Sequence, residues 1–593
     1  MYSPVPQQYR KAKLQPADLL VIGLFVFLIY GSVMTAERWN GELQPAFTID
    51  LSYSSLFLYS IYSLFRASLA YVLSLGFTLV FGYLAAKYKT AERLILPLLD
   101  IGQSIPVLGF LPGLVLGLIA IFPHSNLGLE LACILMIFTG QVWNMTFSFY
   151  SSVKSVPKHF HELSDNIHLR FLQRFYFVEL PYASSGLAWN SLMSMAGGWF
   201  FLTVCEAFTL GNNEFRLPGL GSFMAVAIEQ GNARAMIGGV VCMILLIVGM
   251  DFFVWRPIIA WTRRFQLDEQ QDDPQEIPYF QKLIQESKII RKIETFFLLV
   301  IRGSSDRSKI TNAKENREAR EDHPIIRQLR RPKSWISSFL KSQFAAFLSS
   351  KIAWIVFILG GSWLSAKLYV FLQPLDAQDW ILILKSALLT FSRVLFTLIV
   401  STLWAVPFGV WVGLSQKRTR FFQPLIQIAA SFPAPMLYPI ALGILAFFHI
   451  GIGFGASILM LLGVQWYVLF NVLAGTTMIS RELRDTFSLI GISRIDTWKK
   501  LFLPSIFPAL ITGWVTAAGG AWNASIVAEF IQYQGDTLKA TGLGALISDA
   551  TAHADYSLLA GSLLVMIVVV VGFNRLVWHR FYQLVERRFK FER

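Results

Sequence analysis

Apolar residues gather along this chain in runs of about 20 or more, the length a helix needs to cross roughly 30 Å of hydrocarbon. Such runs fall near 18–35, 60–86, 97–122, 131–151, 183–208 and 236–258, and again near 352–372, 383–414, 424–448, 455–478, 505–530 and 557–577. Strands of alternating polarity are absent, and helices satisfy their own backbone hydrogen bonds, so the pattern predicts a helical bundle rather than a barrel. The expected fold is an all-α integral membrane protein with about twelve transmembrane helices. Composition agrees: 54% hydrophobic and 15% charged residues, with a mean hydropathy of +0.52, exclude an ordinary soluble chain.

Charge orients the spans, because Lys and Arg collect at cytoplasmic span ends. Arg10, Lys11 and Lys13 place the N-terminus inside. Lys87, Lys89 and Arg93, then Lys154 and Lys158, then Arg263 and Arg264 mark every second connection as cytoplasmic. Lys417, Arg418 and Arg420, then Arg481, Arg484, Lys499 and Lys500, and finally Arg580, Arg587 and Arg588 repeat the rhythm. Both termini are expected in the cytoplasm, in a multi-pass inner (plasma) membrane protein of bacterial type. The net charge of +14 follows this border distribution, so the lipid bilayer explains it and nucleic acid is not implied. The first apolar run follows a basic start, but "SVMTAERW" lacks a small-x-small cleavage site, so a retained helix is expected. Cys133, Cys205 and Cys242 lie in or beside apolar runs without ligand spacing, which indicates neither a metal site nor a disulfide framework.

The chain repeats itself. Phe81-Gly82 matches Phe408-Gly409, and Pro97, Pro106 and Pro112 match Pro424, Pro433 and Pro439, at an offset of 327 residues. From Gly140 the offset is 323, through Gly140/Gly463, Trp143/Trp466, Pro181/Pro504, Trp199/Trp522, Glu206/Glu529, the Gly-Leu-Gly runs at 219–221 and 542–544, and Trp255/Trp578. The length change falls in a loop, where insertions are cheap. Six spans per half return the chain to its starting side, so the copies are parallel repeats, 1–264 and 346–593. A 265–345 segment of acidic, amphipathic ("KIIRKIETFFLLVIRG") and mixed-charge character reads as a cytoplasmic linker.

Two polar stretches occupy the same place in each half. Glu162-Leu-Ser-Asp-Asn-Ile-His168 precedes Pro181, and Asp485-Thr-Phe-Ser-Leu-Ile-Gly491 precedes Pro504, with equal spacing. Each reads as a short helix, a break, a second amphipathic helix, and a Leu-Pro that opens the next span. The arrangement resembles the "EAA" loop of ATP-binding-cassette importer permeases: Glu-Ala-Ala, three residues, Gly, nine residues, Ile, one residue, Leu-Pro. The second copy keeps Gly491, Leu501 in the Ile position and Leu503-Pro504, with Asp485-Thr486-Phe487 for Glu-Ala-Ala. The first keeps Glu162, Val178 and Leu180-Pro181, but has His168 for Gly, a residue that adopts positive φ only at a cost. "GGAWNASIVAEF" with "TGLGALISDA", echoed by "GGWFFLTVCEAF" with "PGLGSFMAVA", is similar to the nitrate/sulfonate/taurine/bicarbonate branch in its duplicated single-chain form.

This resemblance implies two fused type-I-like permease domains that import a small solute, an anion being the family's implication. Separate ABC ATPase subunits and an extracytoplasmic substrate-binding protein would be the partners. Glu162, Asp165, His168, Pro181, Glu482, Asp485, Gly491 and Pro504 would belong to the ATPase-coupling loops. No G-x-x-x-x-G-K-[S/T] occurs, so ATP would be used by the partner subunits and the chain itself carries no cofactor and is no enzyme.

Candidate pathway residues are polar or helix-breaking groups at membrane depth. "IGQSIPVLGFLP" and "IAASFPAPMLYP" predict broken third helices, which offer Gln103, Ser104 and Pro106 in one half, Ser431 and Pro433 in the other. Trp199, Trp522 and Asn523 lie beside Gly-Gly pairs, where a tryptophan suits a gate or plain packing alike, and Glu206 and Glu529 close the fifth helices, where a structural partner or a helix-terminal hydrogen bond is the expected role. No cationic residue is expected mid-span. Two rivals share the span count: an ion-gradient-driven secondary transporter with duplicated six-helix halves, and a membrane-anchored assembly or sensory protein acting through its linker.

Overall fold

The computed structural model describes residues 39–265 and 351–583, apart from Asn40, Glu42, Ile105, His168, Arg170, Gly211, Asn212, His579 and Tyr582. The predicted 18–35 span, all but the first residue of the 265–345 linker, and Arg587 and Arg588 lie outside the described residues.

Among the described residues seven helices are long and apolar enough to cross a bilayer, or eight if one bent pair counts as a single span. Tyr53–Lys87, Leu127–Lys154, Ala233–Thr262, Ala377–Gly413, Ile452–Thr477, Arg494–Ala528 and Tyr556–Trp578 are the seven. Two expected spans form helices but are not among them. Leu180–Cys205 has 26 residues, diluted by Ser184, Ser185, Asn190, Ser191 and Ser194. Lys351–Leu372 has 22, and the side chains of 351–358 lie outside the described residues. The third run of each half is broken, as its prolines predict. Lys89–Ser104 gives way at Pro106 to Val107–Phe110 and Leu111–Ile121. Gln416–Ser431 bends by 89° into Ala434–Phe447, with Pro433 at the corner in extended backbone. Proline lacks the N–H and crowds the preceding turn, so the helix stops where it stands.

The chain divides into two compact units. Among the described residues, one comprises Ser148–Trp189 with 249–265 and 351–355. In it Gly186 lets Leu180–Cys205 approach Leu127–Lys154 closely, since an added Cβ would lie 2.8 Å from Ser152 Oγ. A widened π turn at Asp251–Trp255 carries an ion pair from Arg256 Nε to Asp251 at 2.7 Å.

The other unit holds Glu37–Phe147, Asn190–Val248 and Val356–Arg593. Its longest helix, Ala377–Gly413, opens with a capping box in which Asp376 accepts from Asp379 N and Asp379 from Asp376 N. Gly409 and Gly413 bring this helix against Ile452–Thr477; an added Cβ would stand 2.8 Å from Val472 and 2.7 Å from Thr476. In lipid, association depends on such close packing rather than on expulsion of water. A widened turn at Asn574–Trp578 repeats that at Asp251–Trp255 with the offset of the sequence repeat.

Strands do occur. Each fifth helix is followed by a short antiparallel hairpin, Ala207–Leu210 with Asn213–Arg216 and Phe530–Tyr533 with Asp536–Lys539. Gln534 and Gly535 both have positive φ, 52° and 84°, the backbone a tight two-residue hairpin turn requires. The first hairpin also meets the chain before the span at 53, where Arg216 N donates to Pro45 O at 2.8 Å.

A cation also sits inside a span in each half, contrary to expectation. Arg66 lies in Tyr53–Lys87 and Arg393 in Ala377–Gly413. Arg66 is 1% exposed and Glu130 and Glu206 are fully buried. Its Nε and Nη2 grip both oxygens of Glu130 at 2.5 and 2.8 Å, and Nη1 reaches Glu206 at 2.7 Å. Glu206 also accepts from Ser63 Oγ at 2.7 Å and from Gly221 N at 2.7 Å, while Ser63 Oγ accepts from Leu220 N. The second half repeats the clasp: Arg393 Nη1 to Glu529 at 2.6 Å, Thr390 Oγ1 to Glu529 at 2.8 Å, Gly544 N to Glu529 at 2.9 Å, Leu543 N to Thr390 Oγ1 at 2.8 Å. Where the first half has Glu130, Arg393 Nε donates instead to the Gly453 carbonyl.

The clasp explains the Gly-Leu-Gly runs. A Cβ on Gly219 would lie 2.2 Å from the Glu206 carboxylate carbon, and one on Gly542 2.2 Å from Glu529 Oε2. Gly221 and Gly544 are pressed as closely on the carbonyls of Thr203 and Ser525. Removing one partner of a buried ion pair costs about 3–5 kcal/mol, because the other charge stays buried. Glu529→Ala is therefore expected to lower the unfolding midpoint of the solubilised protein sharply, and Glu529→Ala with Arg393→Leu to recover most of the loss. Gly542→Ala, which drives a methyl into the carboxylate, should lower the midpoint on its own; an unchanged thermal scan would refute the packing argument.

Candidate functional site

The two polar turns fold alike. In the first, Lys158–Asn166 forms a helix of nine residues after Pro157, and Leu169 N closes it on Ser164 O at 3.0 Å. In the second, Arg481–Leu489 is also nine residues, with Ser480 Oγ accepting from Leu483 N, and Ile492 N closes it on Phe487 O at 3.3 Å. These bonds occupy equivalent places, the six-residue closure typical of a left-handed residue at a helix end. Gly491 supplies it with φ of 71°. His168 lies outside the described residues, yet its turn ends in the same hydrogen bond. After each break a short helix, Phe171–Arg174 or Arg494–Thr497, runs through a widened turn, Phe175–Glu179 or Trp498–Phe502, into the fifth helix. Pro181 and Pro504 stand in that helix's first turn.

The carboxylates of the turns differ in their freedom. Asp165 is paired with Arg174 at 3.0 Å, whose Nη2 also meets His161 Nδ1 at 2.6 Å. Glu162, Glu482 and Asp485 are exposed. Arg484 ties its helix to the end of a span by donating to Leu414 O at 3.0 Å. Apolar side chains stand out in this polar setting. Leu489 is 86% and Ile490 69% exposed, and Leu163, Ile167 and Leu172 are exposed in the first turn. Exposed apolar groups rimmed by charge are the mark of an interaction surface.

At the far end of the fifth helix Leu503–Ala528, beyond the clasp, lies a chamber of about 430 Å³. Its walls come from both broken helices (Leu108, Leu111, Tyr438, Leu442), from the fifth-helix ends (Thr203, Ile526) and from both hairpins. None of the ten pathway candidates lines it. Gln103 and Trp522 line a separate narrow crevice, with Gln103 Nε2 on Asn144 at 3.2 Å. Ser104 ends its helix and its side chain lies outside the described residues. Pro106 and Pro433 are buried at the breaks, and Ser431 is 7% exposed. Trp199 and Trp522 are core residues, 2% and 1% exposed. Asn523 has a positioning contact: its Oδ1 accepts from Val107 N at 2.8 Å, which satisfies an amide freed by the first break from across the repeat. Glu206 and Glu529 belong to the clasps. Pro112 and Pro439, matched in the repeat, line the chamber; they were not among the candidates, and their match was the available signal. Among the described residues no group of His, Cys, Asp or Glu could hold a metal ion.

Comparison with known proteins completes the picture. The chain matches the family model described as "Binding-protein-dependent transport system inner membrane component" twice, over residues 78–255 and 405–591. A protein described as an ABC transporter permease in Methanocaldococcus jannaschii is 22% identical over 35% of this chain and 72% of its own length. The nitrate import permease of Leptolyngbya laminosa is 23% identical over 30% of this chain and 60% of its own length. The taurine transport system permease of Escherichia coli is 26% identical over 30% of this chain and 59% of its own length. The matched stretch is thus about three fifths of the nitrate and taurine permeases. Two matches that together cover more than half of the chain, one in each half, show that it belongs to the family of inner membrane components of binding-protein-dependent transport systems and carries that component in duplicate.

Proposed function

We propose that the chain is the membrane permease of an ATP-driven importer, with repeats 1–264 and 346–593 joined by the 265–345 linker. Separate ATPase subunits dock on the polar turns and hydrolyse ATP; a substrate-binding protein on the opposite side delivers a small solute. The observation that carries this reading is the repeated nine-residue helix, closed by the same bond in each copy and presenting exposed apolar side chains beside carboxylates. A soluble loop has no need of either. ATP-driven closure of the motor subunits would push on these helices, which continue into the fifth helices, and bias the membrane part between two states. In this orientation both termini are cytoplasmic.

Nitrate and taurine in the relatives' names suggest an anionic or zwitterionic solute. The chamber gives an anion little support, since Arg216 is the one cation among its described lining residues and is already paired. The reading is therefore a small solute, with the anion as the relatives' suggestion. An ion-gradient-driven transporter would use embedded ionisable groups for coupling. The buried carboxylates Glu206 and Glu529 are each tied to an arginine and to a glycine turn, which suits a structural role.

Reversing charge at Glu162, Asp165, Glu482 and Asp485 together is expected to lower solute-dependent ATP hydrolysis and uptake by the reconstituted complex at least tenfold; undiminished uptake would sink the assignment. At Gly491 a left-handed backbone costs an ordinary residue about 1–2 kcal/mol, and an added Cβ meets nothing within 4 Å. Coupled ATPase activity should therefore fall in the order Gly491, Gly491→Asn, Gly491→Ala, Gly491→Val.

A further inference from the structure

The chamber beside the hairpins has a chemistry that the permease role leaves unspecified. Its walls are largely aromatic and apolar. Phe208 stacks on Phe215 with ring centroids 5.1 Å apart and planes 10° apart, and Phe530, Tyr533 and Tyr438 line the same space. At about 430 Å³ it far exceeds a four-atom anion, given about 30 Å³ for a single water.

Its charge is also unusual for a passage serving anions. The charged lining residues among those described are Glu214, Arg216 and Glu229. Arg216 lies 2.9 Å from each carboxylate, so its charge is answered twice and one negative charge is left over. An entering anion meets no free cation and is repelled by the excess. Aromatic faces with a surplus carboxylate attract an organic cation.

Resting on the permease reading for its role in transport, the structure assigns to this chamber a small organic monocation with a planar apolar body. The full chain in lipid nanodiscs is titrated at pH 7 with benzylamine, benzyl alcohol and benzenesulfonate, which carry one ring with charge plus one, zero and minus one. Saturation-transfer NMR reads contact and Kd, and empty nanodiscs correct for lipid. Benzylamine is expected to bind at least fivefold more tightly than benzyl alcohol, with benzenesulfonate weakest. Leu442→Trp, which fills the chamber, should abolish benzylamine binding. Glu214→Gln with Glu229→Gln, at partly exposed rim positions, frees Arg216 and should reverse the order of the charged probes. Sulfonate binding as tight as benzylamine, parity of benzylamine with benzyl alcohol, or benzylamine binding unaffected by Leu442→Trp would each overturn the proposal. The titration needs no ATPase, so it separates the two readings. A chain that selects benzylamine but recruits no ATPase keeps the chamber and loses the permease role; one that recruits ATPase but prefers the sulfonate does the reverse.

Discussion

A guanidinium and a carboxylate cannot be left singly in hydrocarbon, where no water repays the loss of hydration. The clasps solve this by bringing together three parts of each half: a hydroxyl and an arginine from its first long helix, a glutamate at the end of the fifth, and backbone amides of the Gly-Leu-Gly turn. The rest of that region follows. The glutamate fixes where the fifth helix ends, the amides fix where the next short helix begins, and the hairpin between them is held at a set height. The chamber exists because two such ends meet below the breaks in the third helices.

The halves share this frame but have diverged where chemistry is done. Glu130 gives Arg66 a second carboxylate, where Arg393 has only the Gly453 carbonyl. Asn523 supports the first break from the other half, and Phe200, at the equivalent position in the first half, offers no such amide. Arg216 sits between two acids, while its counterpart Lys539 pairs with Asp549 alone. Frame residues are held by mutual necessity, since a change in one strands a buried charge. Wall residues are under no such bond, so a single fused chain can present two unlike sides to one solute.

Much of this was legible in the sequence. Matched prolines located the breaks, and matched polar stretches located the turns, because both depend on local backbone preference. Arg66 and Arg393 were missed because one charge in a long apolar run barely alters its hydropathy; their shared offset with the prolines was the available signal. The hairpins were missed because strands of four residues are too short for alternation to register, although Gln534-Gly535 has turn chemistry. The pathway candidates lie in segments that also supply the chamber walls, but at other positions. Which side of a broken helix meets a cavity depends on how the helix is rotated after its break, and this follows from packing between distant segments such as Val107 and Asn523.

Every member of the first clasp comes from the first half, and the last of them to leave the ribosome is Gly221. The second clasp draws only on its own half in the same way. Each copy can therefore lock its own ionised groups during synthesis without waiting for the other. A gene carrying the pair in tandem thus asks nothing of its translation that two unlinked ancestral genes would not have asked already.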